Sequence, residues 1–559
     1  MVGLLNYRAR GIALLLLGAF LASGVYAGDK CDAHQYFEEG HDVIETWRLV
    51  LGTIFFIVVL PFIFFEIPFF PIDTTVAVMI GALFMVGTTV ITQEHTYEIL
   101  GEVENLRTIF LLMGMMLMAQ YFERELIINK ILKRFLKNNT SMYGYLWRVG
   151  LMCFILSALF TNDAVCLIVT PLVLRHWAQQ KRQHDELETV LLCIATNSNI
   201  GSSMTIFGNP QMALIASVTD SHPYSRLDLL TCLMYIGVPA IIGYFLNLAF
   251  LLMHYKYGCM TKSASPPLLG YDSNDPLDFT MGDQQNTFLE ESGSVLSNSG
   301  RAGAPDRIKE TCVDGRERKS KENAGADDVR VCTPSTDTKE EKKNPDAYGP
   351  TESLPFHICL CLTMTLVVVL FIASTKEVPF DIGLVPMAGA TLIMISDAII
   401  NKRNALQTMK RIDWDVLVLF FGFFVWLGAY NHTGIPRWFW MQLGLDHNEM
   451  KSFVEIVIMV SFVIVGSNLF SNVPLCILVL AQLDPCKKQL GMVLFLGWVS
   501  TVAGNLTLFG SVANLIVAQK SLTTLKFRLT FWAYLKYGFI TTLIICILGV
   551  LIIYGLLLI

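Results

Sequence analysis

Apolar residues in this chain fall into long blocks, without the short helical or strand rhythm of a soluble domain. Blocks at 47–65, 73–91 and 105–122, and again at 354–375, 380–398 and 413–430, hold few charges. A helix of about 20 apolar residues is what a bilayer's hydrocarbon core requires, so each block is predicted to cross a membrane. Each trio is followed by a stretch too long for one crossing, with polar residues at its middle. These are 146–177, around Thr161-Asn162-Asp163, and 452–483, around Ser471-Asn472. Both are predicted to be re-entrant hairpins with the asparagine at the tip. Next come the interrupted apolar segments 188–218 and 488–519, and then the long spans 228–255 and 529–558.

The interruptions carry the functional signal. Gly201, Ser202, Ser203, Thr205, Gly208, Asn209 and Pro210 lie within one apolar segment. Proline removes a backbone donor and clashes with the preceding turn, and glycine weakens a helix. In hydrocarbon an opened backbone survives only where it is buried in protein or lines a polar cavity. Thr205-Ile206-Phe207-Gly208 returns as Thr507-Leu508-Phe509-Gly510, and Leu159-Phe160-Thr161-Asn162 returns as Leu469-Phe470-Ser471-Asn472. Two breaks at equivalent places in two halves point to a duplicated transporter with its solute site at the breaks.

Residues 257–353 are rich in Ser, Gly, Asp, Lys and Glu and are predicted to be a disordered linker. They separate a first transmembrane repeat, 47–256, from a second, 354–559. Residues 1–27 read as a secretory signal or as an uncleaved first membrane helix. Basic loops at 124–148, 175–185, 401–411 and 520–528 are placed in the cytosol; the loop 94–104 carries four glutamates and faces the other side. Each half then crosses an odd number of times, which inverts the second repeat relative to the first. Lys487 and Lys488 fall on the wrong side of this scheme. The expected fold class is therefore an all-α polytopic membrane protein of two inverted repeats, each with a re-entrant hairpin and a broken helix. It would sit in the plasma membrane or an organelle membrane.

Composition agrees: 53% of residues are hydrophobic, 16% are charged and the mean hydropathy is +0.52. Soluble domains carry about 25% charged residues. No basic block suited to nucleic acid occurs. The thirteen cysteines are scattered, with no metal-ligand spacing, so no metal site is expected. No phosphate-binding glycine loop, dinucleotide fingerprint or HExxH is present, so neither ATP-driven pumping nor an enzyme is supported. No cofactor is called for.

Asp163 is the one acid in the first hairpin. An ionisable group in the membrane is expensive to keep and marks function. It is expected to couple transport to protons; sodium is the alternative coupling ion. Its counterpart in the second half is Val473. Asn162 and Asn472 occupy the two tips. Ser202, Ser203, Thr205 and Asn209 are expected to face them from one break, and Asn505, Thr507, Ser511 and Asn514 from the other. Together they offer amide and hydroxyl donors and acceptors. No Lys or Arg accompanies them, which favours a neutral hydroxyl-rich solute or a cation over a highly charged anion.

Ser157-Ala158-Leu159-Phe160-Thr161-Asn162-Asp163, Asn199-Ile200-Gly201-Ser202-Ser203 with Gly208-Asn209-Pro210-Gln211, and Ser500-Thr501-Val502-Ala503-Gly504-Asn505-Leu506-Thr507 resemble the arsenite-permease-like branch of the ion transporter superfamily. Within it they look closest to silicon (silicic acid) efflux transporters. The resemblance covers both halves and excludes the N-terminal segment and the linker. It implies a homodimer whose protomers pair a scaffold with a mobile transport domain holding both hairpins and both broken helices. It also implies elevator-type alternating access and proton antiport of a small inorganic solute, silicic acid or arsenite. Related branches move carboxylates with sodium or exchange sodium for protons. Met204, Phe207 and Pro171 depart from the branch's pattern and bear on substrate identity.

Overall fold

The computed structural model describes residues 46–559 except 65–71, 137–140, 181–185, 223, 262–348, 352, 375–379, 446–449, 451 and 485–486. The segment 1–27 and all but the ends of the linker 257–353 lie outside the described residues. Every regular element among those described is helical.

The first repeat runs through α1 (Thr46–Phe64), α2 (Thr74–Gly87), the short surface helix α3 (Gln93–Gly101) and α4 (Val103–Arg124). A short helix, α5 (Ile127–Phe135), leads to the hairpin arms α6 (Met142–Leu159) and α7 (Asn162–Gln179). The interrupted segment then forms α8 (Leu187–Ser202) and α9 (Pro210–Thr219). The expected span at 228–255 is two helices, α10 (Leu229–Tyr235) and α11 (Gly237–Thr261).

The second repeat follows the same order. It comprises α12 (Leu354–Ala373), α13 (Leu384–Ile400), short α14 (Leu406–Met409), α15 (Trp414–His432) and short α16 (Ile435–Gln442). Then come hairpin arms α17 (Phe453–Phe470) and α18 (Asn472–Leu480), the broken pair α19 (Leu490–Ala503) and α20 (Val512–Leu525), and α21 (Phe531–Leu557). Seven of the described helices are long and apolar enough to span a membrane. The chain is a multi-pass membrane protein.

Two bodies emerge from the packing. In one, α2 packs on α15 and α4 on α13, with α1 and α12 against them; this is the scaffold. A buried ion-pair cluster holds it, Arg124 gripping Asp397 through two hydrogen bonds of 2.7 and 2.9 Å and Glu125 through a third. In the other body α8 packs on α6 and α11, and α19 on α17 and α21. Residues 189–202 of α8 and 492–503 of α19 are buried throughout. Helices buried on all faces can be apolar all round, which explains why neither shows an amphipathic stripe.

The contact between the two bodies breaks the internal symmetry. Helix α9 packs along α4, and α18 against α15. Among the described residues the equivalent pairs, α20 with α15 and α7 with α4, make no comparable packing. One end of the transport body packs extensively on the scaffold, while elsewhere the contact is lighter, as where Phe160 meets Phe122 of α4 edge-on.

Candidate functional site

Both helix breaks arise from local chemistry. Helix α8 ends at Ser202, and α9 restarts with Asn209 as its N-cap and Pro210 in its first turn; the Asn209 side chain accepts from the Met212 N–H at 2.8 Å. Proline is well tolerated there because its missing N–H would have had no helical partner. Glycine is required at two points of close approach. A Cβ on Gly201 would lie 2.1 Å from the Phe154 carbonyl oxygen of α6, and one on Gly208 would lie 2.2 Å from the Ser202 carbonyl. In the second half α19 ends at Ala503, a 3₁₀ turn spans Leu508–Gly510, and α20 starts after Ser511.

Each hairpin tip docks on the break of its own repeat. The Asn162 N–H donates to the Gly208 carbonyl at 2.9 Å. In the second hairpin the Asn468 amide donates to the Ala503 carbonyl at 3.0 Å and its oxygen accepts from the Thr507 hydroxyl at 3.0 Å. The tips differ in strain. Thr161 caps α7 from extended backbone, whereas Ser471 holds a positive φ of 69° with ψ 157°. That conformation is uphill by about 1–3 kcal/mol for a residue with a Cβ.

The two half-sites are joined through Asn199, which is 1% exposed. Its amide oxygen accepts from the Asn162 amide at 2.8 Å and from the Ser511 hydroxyl at 3.2 Å. Its nitrogen donates to the Asn505 oxygen at 2.8 Å and the Asn514 oxygen at 3.0 Å. Asn514 in turn donates to the Gly504 and Thr507 carbonyls, satisfying backbone that the second break opened.

Asn162, Asn505, Ser511 and Asn514 thus share one network. Asn209 lies on a second cross-repeat contact, donating to Ser202 Oγ at 3.0 Å and Thr501 Oγ1 at 3.2 Å. The Ser202 and Ser203 hydroxyls return to their own helix, at Asn199 and Ile200, and Thr205 binds the Ala158 carbonyl of the hairpin. Asn472 lies beside Gly504, within reach of the second break. One Asp163 oxygen is buried without a partner, and the carboxylate lies near the Ala513 backbone in the first turn of α20. A helix N-terminus favours negative charge there.

Asn199, Asn468 and Thr501 join these contacts at the breaks although the sequence did not single them out. Asn199 sits inside the quoted Asn-Ile-Gly-Ser-Ser motif, one turn before the break. Asn468 is a polar residue near the end of an apolar hairpin arm. Asn162 Oδ1 and Asn472 Oδ1, one on each tip, are buried without a partner. A separate cavity of about 400 Å³ lies between the bodies on the face of the acidic 94–104 loop, lined by His95, Glu102, Glu104, His222, Asn431 and His432 among others.

A family model described as citrate transporter (CitMHS) matches residues 54–503, spanning both hairpins and reaching the end of α19. The chain belongs to the citrate transporter family. Among its relatives, the silicon efflux transporter LSI3 of Oryza sativa subsp. japonica is 26% identical over 513 residues, covering 90% of this chain and 97% of that one. The putative transporter arsB of Dictyostelium discoideum is 27% identical over 524 residues, covering 86% and 87%. Among solved structures, the YdaH transporter of Alcanivorax borkumensis aligns over 90% of this chain and 97% of its own with a TM-score of 0.45 and 10% identity. Family and relatives are transporters, and so is this chain; none of these matches is an enzyme. The resemblance read from the motifs stands.

Proposed function

We propose that the chain exports a small, neutral, hydroxylated solute, silicic acid or arsenite, in exchange for protons. The observation that carries this reading is the pair of buried, unpartnered amide oxygens on the two hairpin tips, Asn162 Oδ1 and Asn472 Oδ1. A buried acceptor without a donor is costly, so such a pair calls for a ligand that supplies donors. A fully hydroxylated neutral acid presents O–H groups in several directions. No Lys or Arg lies in α8, α9, α18 or α19, which suits a neutral solute. The silicon efflux and arsB relatives add weight to this substrate class.

Asp163 is the proton carrier in this scheme. It lies at the tip beside the acceptor Asn162, so one carboxyl can alternate between proton and solute in the same cycle. The asymmetric packing of α9 on α4, without its α20 and α15 equivalent, supports alternating access by movement of the transport body against a fixed scaffold, in each protomer of a homodimer. The second reading is sodium-coupled carboxylate transport, favoured by the family's description. The lack of a cationic side chain at the site weighs against a di- or tricarboxylate.

Uptake of silicic acid, arsenite, sodium, succinate and citrate into proteoliposomes under an imposed proton or sodium gradient tests both. Concentrative, proton-dependent movement of silicic acid or arsenite is expected, with Asp163→Asn removing the dependence on the gradient. Sodium-driven carboxylate uptake, or gradient-driven flux that survives Asp163→Asn, would overturn the reading.

A further inference from the structure

A chain of alternating charges crosses the boundary between the two bodies, away from the solute site. Asp381 lies just before α13 in the scaffold and is fixed by accepting from the Gly383 and Leu384 N–H groups at 2.9 and 2.8 Å. Its other oxygen takes Arg107 Nε of α4 at 2.8 Å. Arg107 Nη1 then reaches across to Asp220, at the end of α9, at 3.0 Å. Asp220 is held from its own side by Arg226 Nε at 2.9 Å, and Arg226 crosses back to the Ser374 hydroxyl at the end of α12 at 3.1 Å. Arg107 Nη1 also donates to the Ser221 hydroxyl at 3.3 Å, so three contacts cross the boundary, two reaching out from the scaffold and one reaching back to it. The loop carrying Asp220 and Arg226 is stiffened by the Leu227 N–H, which donates to Thr219 Oγ1 at 3.1 Å.

We propose that Asp381, Arg107, Asp220 and Arg226 form a latch that holds the transport body to the scaffold in this arrangement and must open for it to move. The proposal rests on the alternating-access reading above. Its placement is specific: the latch sits where α9 meets α4, the interface whose symmetry equivalent is not formed. Its charge balance and its partial exposure suit it to open and close. The chain has no net charge, so closing it strands none. Asp220 and Arg226 side chains are only 8% exposed, and those of Arg107 and Asp381 are 22% and 18% exposed. In that half-dry setting the pairs are stronger than at an open surface, where ion pairs are worth little. When the bodies separate, water reaches all four groups together and replaces the pairs, which limits the penalty of opening. Removing one partner chemically is a different matter, because it leaves an unpaired charge in the closed interface and biases the protein away from this arrangement.

The test places spectroscopic labels at Tyr97 and Tyr224, both exposed, one on α3 of the scaffold and one on the loop after α9. Their distance distribution is measured in lipid nanodiscs with and without an imposed solute load of silicic acid or arsenite. The unsubstituted chain should show two populations whose ratio responds to solute. Asp220→Asn and Arg107→Gln should each shift the ratio at least threefold away from the arrangement described here. The double variant should shift it by less than the sum of the two single ones, because the two substitutions share the Arg107–Asp220 contact. Ser374→Ala, which strands no charge, should shift it in the same direction by less. If the populations respond to solute but the single variants leave the ratio unchanged, or the double variant is additive, the latch is wrong and alternating access stands. A single distance under every condition overturns alternating access, and the latch falls with it.

Discussion

Asn199→Ala tests the idea that the two half-sites are one unit. The substitution removes four hydrogen bonds of 2.8–3.2 Å, to Asn162, Ser511, Asn505 and Asn514. A neutral intramolecular hydrogen bond contributes about 0.5–1.5 kcal/mol net, which sums to about 2–6 kcal/mol. The vacated space is polar, and a water there can restore two or three of the bonds. A loss of about 2–4 kcal/mol is therefore expected. Ser203→Ala is the control: it lies four residues away and is equally buried, but its hydroxyl bonds only the Ile200 carbonyl of its own helix. It should lose less than about 1 kcal/mol, as expected for a Ser or Thr bonded back along its helix. Unfolding of the purified protein in detergent reads the stability. Solute titration in proteoliposomes reads the site, where Asn199→Ala should raise the apparent KM at least tenfold through misplacement of Asn162. If Asn199→Ala is no more destabilising than Ser203→Ala and leaves the KM unchanged, the network is packing and does not position the site.

Gly201→Ala should abolish transport while the protein still inserts, since the new methyl meets Phe154 backbone that cannot yield; overpacking of about 1–3 kcal/mol pushes the hairpin off the break, and surface labelling beside a flux assay checks it. Ser471→Gly relieves the positive φ at the second tip and should raise stability by up to about 1–3 kcal/mol while slowing transport, if the strained tip poises Asn472; equal gains in stability and rate would refute that. Arg124→Ala leaves Asp397 and Glu125 buried and short of their partner, and should destabilise the scaffold by about 3–5 kcal/mol in an unfolding assay.

The hairpins and breaks were legible because hydrocarbon forbids loose backbone except where special residues permit it. Tip asparagines at 162 and 472, and the Gly-rich stretches at 201–210 and 504–510, stand out against apolar neighbours. The segment 188–218 accordingly resolved into Leu187–Ser202 and Pro210–Thr219. The division of 228–255 at Ile236 was not legible, because that break falls among Tyr235, Ile236 and Gly237 with no polar residue to mark it. The short helices α5, α14 and α16 lie along loops, where span-length patterns carry no information. Ser202, Ser203 and Thr205 stood out by type, yet their orientation turns them mainly toward backbone carbonyls. Asn199 was passed over for the opposite reason. Its role depends on residues 306 and 315 positions further on, and no local pattern records a partner at that distance.

That separation also bears on how the protein is made. At about 5–20 residues per second, Asn199 enters the bilayer roughly 15–60 s before Asn505 and Asn514 have been synthesised. During that interval the first repeat carries an amide in hydrocarbon with three of its four hydrogen bonds unmet. It must wait either shielded by the insertion machinery or held near the membrane surface. The N-terminal half expressed alone should therefore be short-lived, and supplying the C-terminal half as a separate polypeptide should rescue it.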